Sequence, residues 1–367
     1  MRYYLIAGEA SGDLHGSNLV EAIRALDPGA EFRGWGGDLM AAAGVRLVKH
    51  YRDLAFMGFV KIIRNLPTIF RNLRFAREDV LAFHPDALIL IDYPGFNLRL
   101  TRWAHEKGLK VIYYISPQVW AWKENRVKSI KTSVDKMLVI LPFEKDFYRR
   151  WDYEVDYVGH PLVEVVTAAV PGPRLSEKPI VALLPGSRKQ EVSVQLPVML
   201  SVSTRFPSYQ FIVAQAPGLD EDFYRHFLRG YPGVRVIRGN TYSLLQQSEA
   251  ALVTSGTATL ETALFGVPEA VCYKGDPISY QIARRLIKVK YISLVNLIMD
   301  KPVVRELIQD EMNVRTVGDE LEKLLTDETY RARIKEDYAS LKIVLQQGGD
   351  ASAEAARQIV AFSGKGA

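Results

Sequence analysis

The chain has 367 residues, with 47 Lys+Arg against 42 Asp+Glu and a formal net charge of +5. At about 150 residues per domain, that length predicts roughly two domains, each able to bury its own core. A hydrophobic fraction of 48% and a charged fraction of 24% argue against wholesale disorder. The single cysteine, Cys272, excludes an internal disulfide framework and any multi-cysteine metal or iron–sulfur site, and it fits a reducing cytosol. The N-terminus turns to Gly8 and Glu9 too soon for a signal-peptide apolar region. No apolar run approaches the ~18 residues that a spanning helix needs.

Near-continuous apolar runs at 3–7, 87–91, 111–115 and 137–141 predict buried strands. Helix-like stretches such as 16–26 and 99–107 separate them, and this alternation predicts a parallel, doubly wound sheet. Residues 167–178 are rich in Pro and Gly, lack periodicity and read as an interdomain linker. Strand-like runs resume at 180–184, 210–213, 234–237, 250–253 and 270–273, and a polar, alanine-rich helical tail runs from 317 with a break at Gly348-Gly349. The expected organisation is a first α/β domain over 1–168, a second over 169–345 and a C-terminal helix over 346–367. Two such domains in tandem would face one central cleft at the carboxyl ends of their sheets, where open α/β sheets bind ligands.

Gly8-Glu9-Ala10-Ser11-Gly12-Asp13 follows the first strand and opens a helix. The glycines permit a tight turn, and the acids Glu9 and Asp13 suit sugar hydroxyls better than phosphate. The same residues also fit a plain strand-to-helix turn with Asp13 as N-cap. Leu184-Pro185-Gly186-Ser187-Arg188 holds the matching place in the second half. There Gly186 permits close approach, Ser187 can donate, and Arg188 can clamp a phosphate or simply be a solvated turn arginine.

Thr254-Ser255-Gly256-Thr257-Ala258-Thr259-Leu260-Glu261 again joins a strand to a helix. Its hydroxyls and helix dipole suit a diphosphate, and Glu261 could accept from both ribose hydroxyls. A capping box with Ser255 or Thr257 as cap is the alternative. Neither the Walker A nor the G-x-G-x-x-G fingerprint occurs.

Ile91-Asp92-Tyr93-Pro94-Gly95-Phe96-Asn97 puts Asp92 just past a buried strand, where partial desolvation would raise its pKa toward general-base duty. Asn97 could orient it or meet a substrate hydroxyl, while Asp-x-Pro-Gly is also ordinary turn chemistry. The six histidines show no paired ligand spacing, so no metal site and no cofactor is expected. Asp220-Glu221-Asp222 reads as first-turn helix acids.

From Leu54 to Arg77 five cations (Lys61, Arg64, Arg71, Arg74, Arg77) stand with no acid among Phe56, Met57, Phe59, Ile63, Leu66 and other apolar residues. Pro67 must kink or split a helix there. Cations beside a broad apolar face suit an interfacial helix on an anionic leaflet, and equally a core-packed helix with a solvated basic face. A second basic run spans 284–290. Nucleic acid is a poor fit, because the cations are interleaved with apolar residues and no recognised motif accompanies them.

These loops, together with Ser116-Pro117-Gln118-Val119-Trp120-Ala121-Trp122, Leu141-Pro142-Phe143-Glu144 and Gly159-His160-Pro161, occur in order over nearly the whole chain. In this the sequence resembles the lipid-A-disaccharide synthases. Where that family commonly has Ser-Leu-Pro-Asn, this chain has Ser293-Leu294-Val295-Asn296, which keeps Asn296.

The resemblance implies a GT-B glycosyltransferase with UDP on the C-terminal domain, and a C-terminal helix that in such folds commonly returns to the first domain. It implies UDP-2,3-diacylglucosamine as donor, 2,3-diacylglucosamine 1-phosphate as acceptor, and a β-1′,6 product. The setting it implies is the inner face of the cytoplasmic membrane of Gram-negative bacteria. A UDP-sugar epimerase, or a transferase with a soluble acceptor, is the alternative on the same fold.

Carried onto these residues, Asp92 is the expected base, with Glu9 and Asp13 lesser candidates. Arg188, Ser187, Ser255, Gly256 and Thr257 would hold the leaving diphosphate, Glu261 the ribose, and Asn296 the nucleotide side. Phe56, Met57, Phe59, Ile63, Arg64, Leu66 and Arg71 would meet the membrane or the acyl chains.

Overall fold

A computed structural model describes the chain except residues 55–65, 278–279, 282–284, 286–288 and 365–367. The described chain divides into two compact units, Met1–Pro161 with Leu345–Ala367, and Leu162–Val344.

In the first unit, strands β1 (Arg2–Ala7), β2 (Glu31–Gly36), β3 (Arg46–His50), β4 (Ala87–Ile91), β5 (Val111–Tyr114), β6 (Lys136–Val139) and β7 (Asp156–Tyr157) form a sheet. Its order is β3-β2-β1-β4-β5-β6-β7, and its pairings are parallel. In the second unit, β8 (Ile180–Leu184), β9 (Gln210–Gln215), β10 (Arg235–Arg238), β11 (Ser248–Thr254), β12 (Glu269–Tyr273) and β13 (Arg305–Ile308) follow the order β10-β9-β8-β11-β12-β13. These pairings are parallel too.

Both sheets are doubly wound, and in each the order reverses at one place: between β1 and β4, and between β8 and β11. At a reversal the flanking helices leave on opposite faces, so a crevice opens beyond the carboxyl ends of those two strands. The strands that flank the reversals are the apolar ones. Ala87–Ile91 and Ile180–Leu184 are buried along their whole length, because helices cover both faces of a central parallel strand.

Helix α1 (Ala10–Leu26) packs Leu19, Val20 and Ile23 on the first sheet, in one core with Leu5, Ile89 and Ile91. Ala355, Ala356 and Ile359 of the terminal helix, Ala351–Gly364, complete that same core. Residues 168–178, within the stretch read as a linker, contain no helix or strand. They belong to the second unit, where the side chains of Gln246 and Gln247 donate to Ala169 O and Pro173 O and Leu175 N donates to Gln247.

Helix α2 (Asp38–Ala42) follows β2, and α3 (Leu66–Phe83) precedes β4. The sequence predicts that Pro67 kinks or splits a helix; α3 is described from Leu66, with Pro67 in its first turn, a position that proline tolerates, and residues 55–65 lie outside the described residues. The helix read as 16–26 begins at Ala10, and the one read as 99–107 is α4 (Pro94–Glu106), which also carries Pro in its first turn.

Candidate active site

The first reversal brings together the loops after β1 and β4, since Ala7 and Ile91 are register partners. Glu9 is exposed and stands as the N-cap residue of α1. A Cβ on Gly8 would lie 2.3 Å from the Tyr93 ring, so the glycine is what lets the two loops meet. Asp92 and Tyr93 both hold left-handed backbone, with φ of 44° and 48°. Two such non-glycine residues in a row cost about 1–3 kcal/mol each and persist only where neighbours enforce them.

The enforcing bonds are explicit. Asp92 N donates to Tyr114 O at 3.0 Å, while Asp92 O accepts from Tyr113 OH at 2.6 Å and from Asn97 Nδ2 at 2.8 Å. With its carbonyl so anchored, the Asp92 carboxyl sits in a desolvated place. Burial first, and then the negative charge of Glu9, push its pKa up to about 7, against the pull of a hydrogen bond from the Tyr93 backbone. An acid poised there can take a proton near neutrality.

Two expectations at this loop are corrected. Asp13 is neither the cap of its own helix nor a group open to sugar hydroxyls: it is 3% exposed, and its carboxylate accepts from Gly37 N, Leu39 N and Met40 N at 2.7, 3.1 and 3.0 Å. It caps α2 instead. Asn97 does not meet substrate: it is fully buried and spends its amide on the carbonyls of Ile6, Ile91 and Asp92. It positions Asp92 through the backbone.

Beyond β5, the Ser116–Trp122 loop is organised by an acid that the sequence did not single out for a role. Glu144, 1% exposed, accepts from Trp120 Nε1 at 3.2 Å and Leu141 N at 2.9 Å. Burial lifts its pKa to about 7. Ser116 Oγ and Tyr148 OH lie 2.7 Å apart beside it. The two quoted motifs, residues 116–122 and 141–144, are thus one buried polar assembly, and spacing along the chain could not pair them.

At the second reversal Leu184 and Val253 are register partners, so the loops after β8 and β11 leave the sheet side by side. Ser187 and Arg188 are exposed and lead into α5 (Lys189–Ser203). Their amides are already satisfied: both donate to Glu191 Oε2, at 3.1 and 3.2 Å, and Arg188 Nη1 meets Glu191 Oε1 at 2.8 Å. A Cβ on Gly186, whose φ is 109°, would fall 2.7 Å from Glu191 Oε2. Gly186 therefore makes room for Glu191 rather than for a ligand. Sequence reasoning missed Glu191, although Glu three residues after a helix cap is the capping-box spacing.

Gly256 and Thr257 are exposed at the start of α6 (Thr257–Leu264), with Gly256 as the N-cap residue. Gly256 offers no side-chain cap, so the alternative capping box does not form, and among the described residues no side chain is seen to accept from the first N–H groups of this helix. Ser255 Oγ donates to Ile292 O at 2.8 Å, which leaves that hydroxyl only its lone pairs to offer. Glu261 accepts from Tyr242 OH at 3.0 Å, and burial raises its pKa.

Asn296 departs from its expected place on the nucleotide side. It is 1% exposed, its Nδ2 donates to Val304 O and Glu306, and its Oδ1 accepts from Val304 N. Its amide holds the approach to β13 and has nothing left to turn toward a ligand.

Of the residues read as membrane contacts, Phe56, Met57, Phe59, Ile63 and Arg64 lie outside the described residues, and Leu66 begins α3. Arg71 is exposed on α3, next to Phe70, which is 62% exposed.

A family model described as lipid-A-disaccharide synthetase matches residues 3–361. Curated relatives named lipid-A-disaccharide synthase include one from Syntrophus aciditrophicus, 42% identical over 92% of this chain and 92% of its own. Another, from Trichlorobacter lovleyi, is 39% identical over 95% of this chain and 94% of its own.

Among solved structures, a putative UDP-N-acetylglucosamine 2-epimerase from Listeria monocytogenes covers 98% of this chain and 95% of its own, with a TM-score of 0.65 at 10% identity. The calicheamicin glycosyltransferase covers 100% of this chain and 99% of its own, with a TM-score of 0.63 at 16% identity. At such identities the structural likeness is one of fold alone, the GT-B fold. The sequence matches carry more, and by their extent the chain belongs to the lipid-A-disaccharide synthase family of glycosyltransferases.

Proposed function

We propose that the chain transfers 2,3-diacylglucosamine from UDP to the 6-hydroxyl of 2,3-diacylglucosamine 1-phosphate, with inversion, giving the β-1′,6 disaccharide 1-phosphate and UDP. The carrying observation is the Asp92 carboxyl, raised to about 7 beside Glu9 at the first sheet reversal. As the acceptor oxygen bonds to the donor C1, its proton passes to Asp92 and the C1–O bond to the diphosphate breaks. Negative charge grows on the departing UDP. The exposed Arg188 guanidinium, the Ser187 hydroxyl and the uncapped start of α6 at Gly256 and Thr257 suit that charge. Glu261 would accept from the ribose, with Tyr242 holding it. Asn296 serves only to hold the loop behind them.

Among the described residues, no helix is long and apolar enough to cross a membrane. We place the enzyme peripherally on the inner face of the cytoplasmic membrane. Support comes from α3, where exposed Phe70, Phe75 and Arg71 put rings and a cation on one element. In liposome flotation with anionic phospholipid, Phe70→Ser/Arg71→Ser should float less than wild type, and equal flotation removes α3 from the contact.

The reaction is tested by mixing the purified chain with both acylated sugars and assaying UDP release, with the disaccharide identified by mass spectrometry. Asp92→Ala should release no UDP while melting as a folded protein. Full turnover by that variant would take the base role away from Asp92.

A further inference from the structure

We propose that Lys123 and Arg126, with Trp122 beside them, bind the phosphate monoester of an acylated acceptor at the carboxyl edge of the first sheet, and so select a phosphorylated acceptor. This rests on the reaction proposed above and adds which residues read the acceptor's anionic end.

The placement follows from the sheet. β4 and β5 are neighbours with Ile91 opposite Tyr114, so the loop that carries Asp92 and the loop that runs into Trp122 leave the same edge. Tyr113 ties them: its hydroxyl donates to Asp92 O, and the charges of Asp92 and Arg126 both act on it. Arg126 is thus within electrostatic reach of the residue that anchors the base.

Lys123 Nζ sits 3.9 Å from the centroid of the Trp122 ring. Partial burial and the charge of Arg126 hold its pKa below the ordinary lysine value. The turn in which Arg126 N donates to Lys123 O at 3.0 Å sets the two cations three residues apart, where like charges repel and an anion between them would stabilise the pair. Neither side chain forms an ion pair with a carboxylate among the described residues. From Trp122 to Lys131, moreover, Lys123, Arg126, Lys128 and Lys131 stand against the single acid Glu124.

The indole is also presented rather than packed. Trp122 is 51% exposed, whereas Trp120, two residues earlier, is 7% exposed and bonded to Glu144. An exposed ring beside paired cations offers apolar contact and charge to a molecule that is itself part lipid, part phosphate.

A phosphate monoester on an acyl sugar and the headgroup of a membrane phospholipid share this chemistry, so the test separates them. Lys123→Ala, Arg126→Ala, the double variant and the milder Lys123→Gln/Arg126→Lys are assayed in neutral detergent, without anionic lipid. Two acceptors are used: diacylglucosamine 1-phosphate and the same sugar without phosphate. Wild type should prefer the phosphorylated acceptor, and the double variant should raise its KM by about tenfold or more, as expected when at least one of its two charge-assisted contacts contributes fully. Donor KM should stay within about twofold, and the penalty should vanish on the unphosphorylated sugar. The milder variant should fall between.

Equal losses on both acceptors, or an unchanged KM for the phosphorylated one, would overturn the assignment. So would variants that only weaken vesicle flotation, since the cations would then read membrane headgroups. If wild type forms no disaccharide at all, the proposed reaction itself fails, which is a separate result.

Discussion

Asp92, the proposed base, shows how one residue can be costly to the fold and suited to such chemistry. Its left-handed backbone and its desolvated carboxyl both oppose folding, and the bonds from Tyr113 and Asn97 hold it regardless. Because a base works only when deprotonated, kcat/KM should climb with pH and level off above about 7. Asp92→Asn keeps the shape without the charge. It should lose about 10²–10⁴ in rate, yet unfold later at pH 7.5, by about 1–3 kcal/mol, as the buried charge disappears. An Asn variant that is less stable than wild type would show that the carboxylate is well solvated after all.

Glu191 is the counterpart at the second reversal. It ties down Ser187 N, Arg188 N and the Arg188 guanidinium in one side chain. Glu191→Ala should raise the KM for the UDP-sugar by about tenfold, since each 1.4 kcal/mol of lost preorganisation is a factor of ten, with acceptor KM little changed. A change confined to acceptor KM would place this loop on the wrong substrate.

Among the elements, α2 is five residues long and could not stand without its cap. Asp13 supplies that cap from α1, across 24 to 27 residues of chain. Asp13→Ala would strand three N–H groups and should cost about 2–4 kcal/mol. Asp13→Asn, which retains an acceptor oxygen, should recover part of that. Thermal melts of both variants measure it, and equal melts for wild type and Asp13→Ala would deny the cap.

Local sequence could not announce this bond, because its partners are distant. The motif Gly8–Asp13 was legible as a strand-to-helix turn, whereas its last residue's duty lies in another loop. The same physics separates the strands that could be read from those that could not. β4, β8 and, after Arg2, β1 are covered on both faces and so are written in unbroken apolar or aromatic residues. β3 and β7 are edge strands with half-buried residues, as is β13 apart from Leu307, and β2, Glu-Phe-Arg-Gly-Trp-Gly, mixes charges with glycine. In the candidate site, the places of Asp92, Arg188 and Gly256-Thr257 just past strand ends were legible in the sequence. Asn296 was misplaced because a buried amide and a ligand-binding amide have the same letter.

Across the whole molecule, buried titratable groups give the two units different responses to pH. In the first unit Asp92 and Glu144 are raised to about 7, while buried His15 and His160 are lowered to about 4 and 3. In the second, Glu269 and Glu261 are raised by burial; Glu269 is fully buried, and among the described residues its Oε2 has no hydrogen-bond partner while Tyr338 OH lies 3.5 Å from Oε1.

A carboxyl raised by folding binds its proton more tightly in the native state, so stability falls as pH rises above the ordinary value of 4.5. A histidine lowered by folding does the opposite, and stability rises as pH climbs toward 6.5. The first unit contains both kinds and should change little between pH 5.5 and 7.5; the second has no buried histidine among its described residues and should lose stability.

The five tryptophans (35, 103, 120, 122 and 151) all lie in the first unit, so indole fluorescence reports that unit while far-ultraviolet circular dichroism reports both. At pH 7.5 the dichroism transition should therefore begin several degrees below the fluorescence transition, and at pH 5.5 the two should draw together. Glu269→Gln removes the charge and keeps the shape, and should narrow the gap at pH 7.5. Transitions that coincide at both pH values would mean that the two units melt as one, or that Glu269 titrates as an ordinary acid.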